Sequence, residues 1–219
     1  MHHIYTEKDA KTIRQPQCIL NPHLKDIVKE ELQKLLDVNF IYPISNNKWV
    51  SPLVVVPKNN GKWRICIVYR ELKKATQKDH LPLTFIDQVL DTLVGKKFFS
   101  FLDGFSGYNQ IQIAPEDQDK TTFTCPWGTF TYRVLPFGLC NTPATFQRAI
   151  LSIFADLINE ALEVYMDDFT PYGDDFEQAL QTLEKVLERC IATSLCLSHE
   201  KCHMMMKEDL ILGHYISAT

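Results

Sequence analysis

Two adjacent carboxylates, Asp167 and Asp168, interrupt an apolar segment at residues 163–170 that reads Glu-Val-Tyr-Met-Asp-Asp-Phe-Thr. The β-forming residues on both sides predict two strands of a hairpin, with at least one acid at its tip. A second apolar segment, residues 97–102, ends at another acid, Asp103. A pair of acids at a turn is most often only solvated surface, so the pair alone does not indicate chemistry.

If the strands that carry these acids are neighbours, the carboxylates of Asp103, Asp167 and Asp168 converge. Two carboxylates about 4 Å apart repel by about 4 kcal/mol at an effective dielectric constant of about 20. An apolar site would therefore hold them ionised only around a cation. Ligands that are all carboxylate oxygens suit Mg²⁺, which also binds substrate phosphates. The three acids thus predict a site for two Mg²⁺ ions, with Mn²⁺ as the expected substitute, and phosphoryl transfer as its chemistry.

The bulk composition indicates a globular chain of one or two domains. It has 219 residues, 45% of them hydrophobic, and no run of about 18 apolar residues that would predict a membrane span. Residues 1–7 lack the apolar core of a secretory signal. The seven cysteines form no C-x-x-C pair, which favours free thiols in a reducing compartment. The expected location is intracellular, cytoplasmic or nuclear, and not secreted.

The periodicity of the chain predicts the elements that position these acids. Residues 1–20 show no period and predict an extended arm, whereas Asn21-Pro22 followed by a one-sided apolar pattern predicts a helix. Strand-like runs at 53–56 and 63–68 flank an Asn-Gly turn and predict a hairpin. Further strands are predicted at 109–113, 121–125, 130–134 and 195–198. Further helices are predicted at three places: residues 84–93, capped by Thr84 and Asp87; a helix that starts at Thr142-Pro143; and a helix that follows Asp174 and Asp175.

The net charge of −4 argues against a protein that coats nucleic acid by bulk attraction, but a local basic groove is compatible with it. Residues 58–78 carry seven Lys and Arg residues against one acid, Glu71. Such a run is in many proteins only a solvated face, and the residues alone leave both interpretations open. The glycine-bearing turn at 104–107 could present backbone N–H groups to phosphate, and a helix N-terminus close to the site would also favour anions.

Seven blocks of the sequence form a recognisable series in chain order: residues 63–66, 69–72, 78–83, 101–108, 135–147, 165–168 and 212–214. Taken in this order, they resemble the reverse transcriptase of gypsy-class long-terminal-repeat retrotransposons, the plant branch in particular. Several ordered blocks are far more specific than any one of them. The resemblance covers nearly the whole chain.

This resemblance implies an α+β fold, the fingers and palm of a right-hand polymerase, with an antiparallel palm sheet backed by helices. It implies an arm at 1–20, mainly fingers at 21–96, and mainly palm at 97–219 with a fingers insertion near 115–145, and it leads us to expect that thumb and RNase H are absent. The implied reaction is the addition of deoxynucleotides to a primer 3′-OH by two metal ions. The implied partners are an RNA or DNA template with primer and deoxynucleoside triphosphates, with no membrane, and the sequence leaves homo-oligomers open.

The resemblance also implies roles for single residues. The catalytic and metal-binding residues would be Asp103, Asp167 and Asp168. Tyr108 matches the family's aromatic gate, which screens the sugar 2′ position; the alternative is a half-buried tyrosine that only packs. Lys201 matches a family lysine near the leaving pyrophosphate; the alternative is a lysine that is merely exposed. The other implied substrate contacts are Lys58, Arg64, Gly104, Ser106, Gly107, Phe137, Gly138 and Met166, and the implied primer contacts are Leu212, Gly213 and His214.

Two positions depart from the family pattern. The family block usually reads Cys-Val-Asp-Tyr-Arg, but Val68 stands here in place of the acid, and Lys73 stands where asparagine is usual. Neither change touches the three acids. The alternative hypothesis is therefore a degenerate retroelement remnant, weak or inactive in catalysis, that keeps the fold and only binds nucleic acid.

Overall fold

A computed structural model describes residues 1–57, 61, 63–82, 85–211 and 214–217, with the backbone alone for 209–211 and 214–217. The chain divides into two compact units, residues 1–79 with 111–142 and residues 80–110 with 143–219. Residues 80–96 thus group with the second unit. The assignment of fingers and palm to particular ranges stays a prediction.

Helices and strands are interspersed along the described chain. In order they are α1 (Pro22–Asp37), β1 (Ile41–Pro43), β2 (Ser51–Pro57), β3 (Trp63–Ile67), α2 (Arg70–Ala75), α3 (Ile86–Leu93), β4 (Phe98–Asp103), α4 (Pro115–Gln118), β5 (Phe123–Cys125), β6 (Gly128–Tyr132), α5 (Thr142–Ile153), β7 (Leu162–Tyr165), β8 (Asp168–Gly173), α6 (Phe176–Thr193), β9 (His203–Met206), β10 (Glu208–Ile211) and β11 (His214–Ser217). The α+β prediction is confirmed.

Local capping signals explain where two of the helices begin. The Asn21 side chain accepts a hydrogen bond from the His23 N–H at the start of α1, and the Asp175 side chain accepts one from the Gln178 N–H at the start of α6. At α3 the predicted cap Thr84 lies outside the described residues. The N-cap of α3 is Phe85 and makes no side-chain cap hydrogen bond, while Asp87 lies in the first turn of the helix, where its negative charge interacts favourably with the helix dipole.

The first unit contains a five-stranded sheet in the order β1-β6-β5-β2-β3. The β2–β3 hairpin is antiparallel, as predicted from the Asn-Gly turn signal, while β2 and β5 run parallel. The arm, residues 1–20, lies extended along this unit through isolated bridges, and Ile4 is buried in its core. The arm is therefore part of the packed unit.

Some predicted strands are shorter than the sequence indicated, and residues 195–198 form only one isolated bridge, from Leu197 to Gly104. Residues 107–110 form a 3₁₀ helix, and only Gln112 and Ile113 of the predicted strand make bridges. Residues 119–121 form another 3₁₀ helix, so β5 begins at Phe123. Both segments satisfy their backbone locally, as in the Asn109 N–H to Ser106 C=O bond, and such turns compete with strand pairing.

The second unit contains a four-stranded antiparallel sheet in the order β7-β8-β4-β9 and a separate β10–β11 hairpin. Val89 and Leu93 of α3 pack with Phe99 of β4 and Tyr172 of β8 in one buried cluster. This packing holds β4 and β8 side by side. In the described part of the chain, no helix combines the length and the apolar character that crossing a bilayer requires.

A carboxylate is buried in the strand that leads to the two adjacent acids. Glu163 of β7 is only 5% exposed, and among the described residues its Oε1 has no hydrogen-bond partner. Burial raises the pKa of Glu163 above its ordinary value, and a hydrogen bond with Thr92 opposes that shift. The folded state therefore binds the Glu163 proton more tightly than the unfolded state does.

We expect Glu163→Gln to stabilise the protein at neutral pH. Because the folded-state pKa is raised, the stabilisation from protonated Glu163 is full below its unfolded pKa and is lost as pH rises through its folded pKa. The amide avoids a buried charge, so the unfolding free energy of the variant should exceed that of the parent chain near neutrality and approach it at low pH. Urea unfolding between about pH 4 and about pH 8 measures this difference.

The control variant is Glu160→Gln, since Glu160 is an exposed acid three positions earlier. It should leave the pH dependence of the unfolding free energy as in the parent chain. If Glu163→Gln raised the unfolding free energy equally at low and at neutral pH, burial of the Glu163 charge would not be the cause of the increase.

Candidate active site

The two adjacent acids occupy a hairpin turn and the start of the following strand. Strands β7 and β8 are joined by Met166 and Asp167, and Asp168 is the first residue of β8, paired with Tyr165. Met166 has φ of 55°, as two-residue hairpin turns require, at a cost of roughly 1 kcal/mol for a non-glycine residue. The predicted hairpin is present, with Asp167 at its tip.

The third acid lies directly across the sheet from this turn. Strand β4 pairs antiparallel with β8, and the register places Asp103 opposite Asp168. Directly opposite residues have Cβ atoms about 4.5–5.5 Å apart, and like charges there repel. Burial, followed by the charges of Asp167 and Asp103, raises the pKa of Asp168 to about 6. The cluster of three acids is thus an unfavourable concentration of negative charge.

One ammonium group partly neutralises this cluster. Lys201 Nζ lies 2.8 Å from Asp103 Oδ2, with the lysine side chain 65% exposed. The hydrogen bond with Asp103 raises the pKa of Lys201. The backbone brings Lys201 there, because the Ser198 N–H donates to the Asp103 C=O at 2.8 Å and the Lys201 N–H donates to the Ser198 C=O at 3.0 Å.

The turn after Asp103 is tied to the turn that carries Asp167. The Gly104 N–H donates to the Asp167 C=O at 3.0 Å, and the Gly107 N–H donates to the Gly104 C=O at 3.1 Å. Both N–H groups therefore serve the backbone in this structure, whereas Ser106 is exposed. A Cβ atom on Gly107 would lie 3.0 Å from Phe146 Cζ, so glycine allows this ring to approach. Phosphate contact by the turn stays a prediction.

The Tyr108 side chain lies beside the acids and packs against α5. Its ring meets Phe146 edge to face, with ring centroids 5.3 Å apart. Burial, followed by the charges of Asp167 and Asp168, raises the pKa of Tyr108. The side chain therefore packs against Phe146 and also lies close to the acids, while its role as an aromatic gate stays a prediction.

One glutamine, which no sequence motif marks, holds this region together. Gln110 Nε2 donates to the Phe105 C=O at 2.7 Å and to the Cys196 C=O at 2.9 Å. Its Oε1 accepts from the Cys196 N–H at 2.8 Å. Gln110 thus joins the turn after Asp103 to the segment before Lys201. It carries no local signal, because its partner lies 86 positions away.

The remaining predicted site residues lie in the first unit, at the start of β11 in the second unit, or outside the described residues. Arg64 is exposed on β3, Phe137 is 67% exposed, and Gly138 has φ of 99°. Lys58, Leu212 and Gly213 lie outside the described residues, and His214 is described only as the first backbone position of β11. The roles of all these residues stay predictions.

A sequence profile described as reverse transcriptase (RNA-dependent DNA polymerase) matches residues 56–216. The chain belongs to the reverse transcriptase family. It is 35% identical over 201 residues to the Pol polyprotein of transposon 412 from Drosophila melanogaster, covering 89% of this chain and 16% of that protein. It is 32% identical over 200 residues to the Pol polyprotein of transposon gypsy from the same organism, covering 89% of this chain and 19% of that protein. The predicted resemblance to gypsy-type reverse transcriptases is confirmed.

A plant virus protein and a solved reverse transcriptase extend the comparison. The enzymatic polyprotein of cauliflower mosaic virus (strain Strasbourg) is 30% identical over 208 residues, covering 93% of this chain and 30% of that protein. The foamy viral protease-reverse transcriptase in complex with an RNA/DNA hybrid matches with a TM-score of 0.91 and 25% identity, over 100% of this chain and 29% of that one. The predicted polymerase fold is confirmed. The reverse transcriptase chain described here spans less than a third of each relative's length.

Proposed function

We propose that this reverse transcriptase domain is part of a retrotransposon polyprotein and adds deoxynucleotides to a primer 3′-OH, directed by an RNA or DNA template. The observation that carries the proposal is the β4–β8 register, which sets Asp103 opposite Asp168 beside the turn at Asp167. A solved relative binds an RNA/DNA hybrid. We propose the same class of ligand here, together with deoxynucleoside triphosphates.

The residues of the site fit divalent metal ions. Burial, followed by the charges of Asp167 and Asp103, raises the pKa of Asp168 to about 6, and a bound cation would relieve the repulsion among the three acids. The donors would be the carboxylate oxygens of Asp103, Asp167 and Asp168, which suit Mg²⁺ or Mn²⁺. Two such ions, when bound, would lower the pKa of the primer 3′-OH and stabilise charge on the triphosphate.

Lys201 would act mainly through its charge. Its hydrogen bond with Asp103 raises its pKa and keeps the ammonium protonated. A lysine with a raised pKa gives up its proton less readily, so it is a weaker general acid. We therefore propose that Lys201 stabilises the negative charge of the leaving pyrophosphate, with proton transfer as the smaller contribution.

The other assignments rest on the family resemblance. Arg64 and Lys58 would contact the incoming triphosphate, and Phe137 and Gly138 would line the nucleotide and template pocket. Leu212, Gly213 and His214 would hold the primer end, and Gly104, Ser106, Gly107 and Met166 would contact the substrate. Contacts to phosphate would supply affinity, while base pairing with the template would choose the nucleotide.

A primer-extension assay on an RNA template with Mg²⁺ tests the proposed function. We expect the chain to add at least one templated deoxynucleotide. The remnant hypothesis, favoured by Val68 and Lys73, predicts binding of the primer–template duplex without extension. Binding without any addition, in Mg²⁺ and in Mn²⁺, would overturn the polymerase proposal in favour of the remnant.

We expect Tyr108→Ala to admit ribonucleotides more readily, because its ring lies beside the acids where the sugar of the incoming nucleotide would bind. The ratio of ribonucleotide to deoxynucleotide incorporation, measured as kcat/KM for each, should rise by at least about tenfold, in the range that loss of a steric contact provides. Tyr108→Phe keeps the ring and should keep the parent ratio. Equal ratios in all three chains would show that Tyr108 only packs against Phe146.

A further inference from the structure

The arm holds His3 at a fixed place beside helix α4. On one side of it the His2 N–H donates to the Gln112 C=O at 2.7 Å, and the His2 C=O accepts from the Ala114 N–H at 2.8 Å. On the other side Ile4 is buried, with 2% exposure. The backbone on both sides of His3 is therefore anchored, and its imidazole is preorganised at this position.

A buried carboxylate of α4 points toward this imidazole. Asp117 is 6% exposed, and its Oδ2 accepts from the Ile4 N–H at 3.0 Å. Its Oδ1 accepts from Lys120 Nζ at 2.5 Å, and the same ammonium donates to the Ile4 C=O at 2.7 Å. These bonds fix the orientation of the carboxylate, as outer partners of metal ligands commonly do. Oδ2 keeps a lone pair for a further partner.

Three ligand-type atoms meet at this point. His3 Nδ1 lies 3.4 Å from Asp117 Oδ2 and 3.6 Å from Glu116 Oε1, and all three atoms lie within 4.8 Å of one another. A tetrahedral ion with bonds of about 2.0–2.1 Å separates its ligand atoms by about 3.3–3.4 Å. The two separations from His3 Nδ1 are close to that spacing.

The donor set selects the kind of ion. One imidazole nitrogen and two carboxylate oxygens suit Zn²⁺ and similar first-row ions, whereas Mg²⁺ prefers oxygen ligands and water. When the imidazole is neutral, the two carboxylates and the Lys120 ammonium together carry one net negative charge. The negative charge of the cluster therefore favours the binding of a divalent metal ion.

We propose that His3, Glu116 and Asp117 bind one Zn²⁺ ion that clips the arm to α4, with water in the fourth position. The ligands come from segments more than 100 positions apart, so the ion would cross-link the first unit and stabilise it by binding the folded state alone. This proposal is independent of the polymerase activity, because none of its ligands belongs to the three-acid cluster.

Calorimetric titration of the chain with Zn²⁺ tests the proposal. Excess Mg²⁺ in the buffer competes with Zn²⁺ for the three-acid cluster, and the comparison of variants distinguishes Zn²⁺ bound by His3 from Zn²⁺ bound by the free cysteines. We expect one Zn²⁺ binding step that is weakened at least about a hundredfold in His3→Ala and at least about tenfold in Glu116→Gln. His23→Ala, which removes an exposed histidine of α1, should bind Zn²⁺ like the parent chain.

Two further measurements identify the ligands. Co²⁺ in the same site should give the visible bands of a tetrahedral ion, lost in His3→Ala, without the charge-transfer bands of thiolate ligands. Zn²⁺ should raise the Tm of the parent chain and of His23→Ala but not that of His3→Ala. Zn²⁺ binding of equal affinity in the parent and in His3→Ala, or no binding to the parent, would overturn the clip and leave His3 with ion pairs alone.

Discussion

Replacing Asp167 by asparagine should abolish metal-dependent primer extension and leave the fold intact. The substitution removes one of three charges that would hold the metal ions, and we expect extension to fall about a thousandfold, or about 4 kcal/mol of transition-state stabilisation. The turn itself should persist, because the Asp167 backbone C=O still accepts from the Gly104 N–H. Single-nucleotide addition under saturating Mg²⁺ measures the loss.

The direction in which Asp167→Asn changes the stability of the fold follows from the pKa of Asp168. The Asp167 charge helps to raise the pKa of Asp168 to about 6, and that raised pKa means that stability is lost as pH rises through about 6. Without the Asp167 charge the loss shrinks, so Asp167→Asn should be at least as stable as the parent at neutral pH. An inactive variant that is also unfolded would not support the metal assignment.

The matched control is Asp174→Asn, in the residue that follows the far end of β8. Asp174 pairs with Lys96 at 2.9 Å on an exposed surface, and such pairs contribute at most about 1 kcal/mol. Extension by this variant should stay within about twofold of the parent. Parent-like extension by Asp167→Asn, or equal losses in both variants, would contradict the role proposed for Asp167.

Replacing Gly173 by alanine should destabilise the second unit by about 3 kcal/mol, the upper end of the usual cost of overpacking. Gly173 ends β8 where α6 packs closely on the sheet. A Cβ atom there would lie 2.5 Å from the Ala179 backbone nitrogen and 2.8 Å from its Cα. Because backbone atoms cannot rotate away, α6 would have to move. Urea unfolding followed by circular dichroism measures the change, and Tm should fall by about 6–12 °C.

Gly104→Ala is the matched control for this effect. A Cβ atom on Gly104 would meet its nearest neighbours at 3.5–3.7 Å, in ordinary van der Waals contact. Its unfolding free energy should therefore change by less than about 1 kcal/mol. If both alanine variants were equally stable, the close approach of α6 to β8 would not be a constraint on the fold.

Elements with local signals could be read from the sequence. The β7–β8 hairpin follows from β-forming residues around a two-residue turn, and α1 and α6 begin at the predicted caps Asn21 and Asp175. These features depend on residues a few positions apart, whose preferences act before any tertiary packing. The strand predicted at 109–113 was wrong in its first half, because local turn bonds after Gly107 competed with strand pairing.

The three acids could be named from the sequence, but only the tertiary structure decided how they meet. The register that sets Asp103 opposite Asp168 joins positions 65 residues apart along the chain, and sheet register depends on which faces the core buries. The same holds for the burial of Glu163 and for the Lys201–Asp103 pair. His3 and Asp117 meet for that reason too, since no local preference acts between residues 114 positions apart and only packing of the arm brings them together.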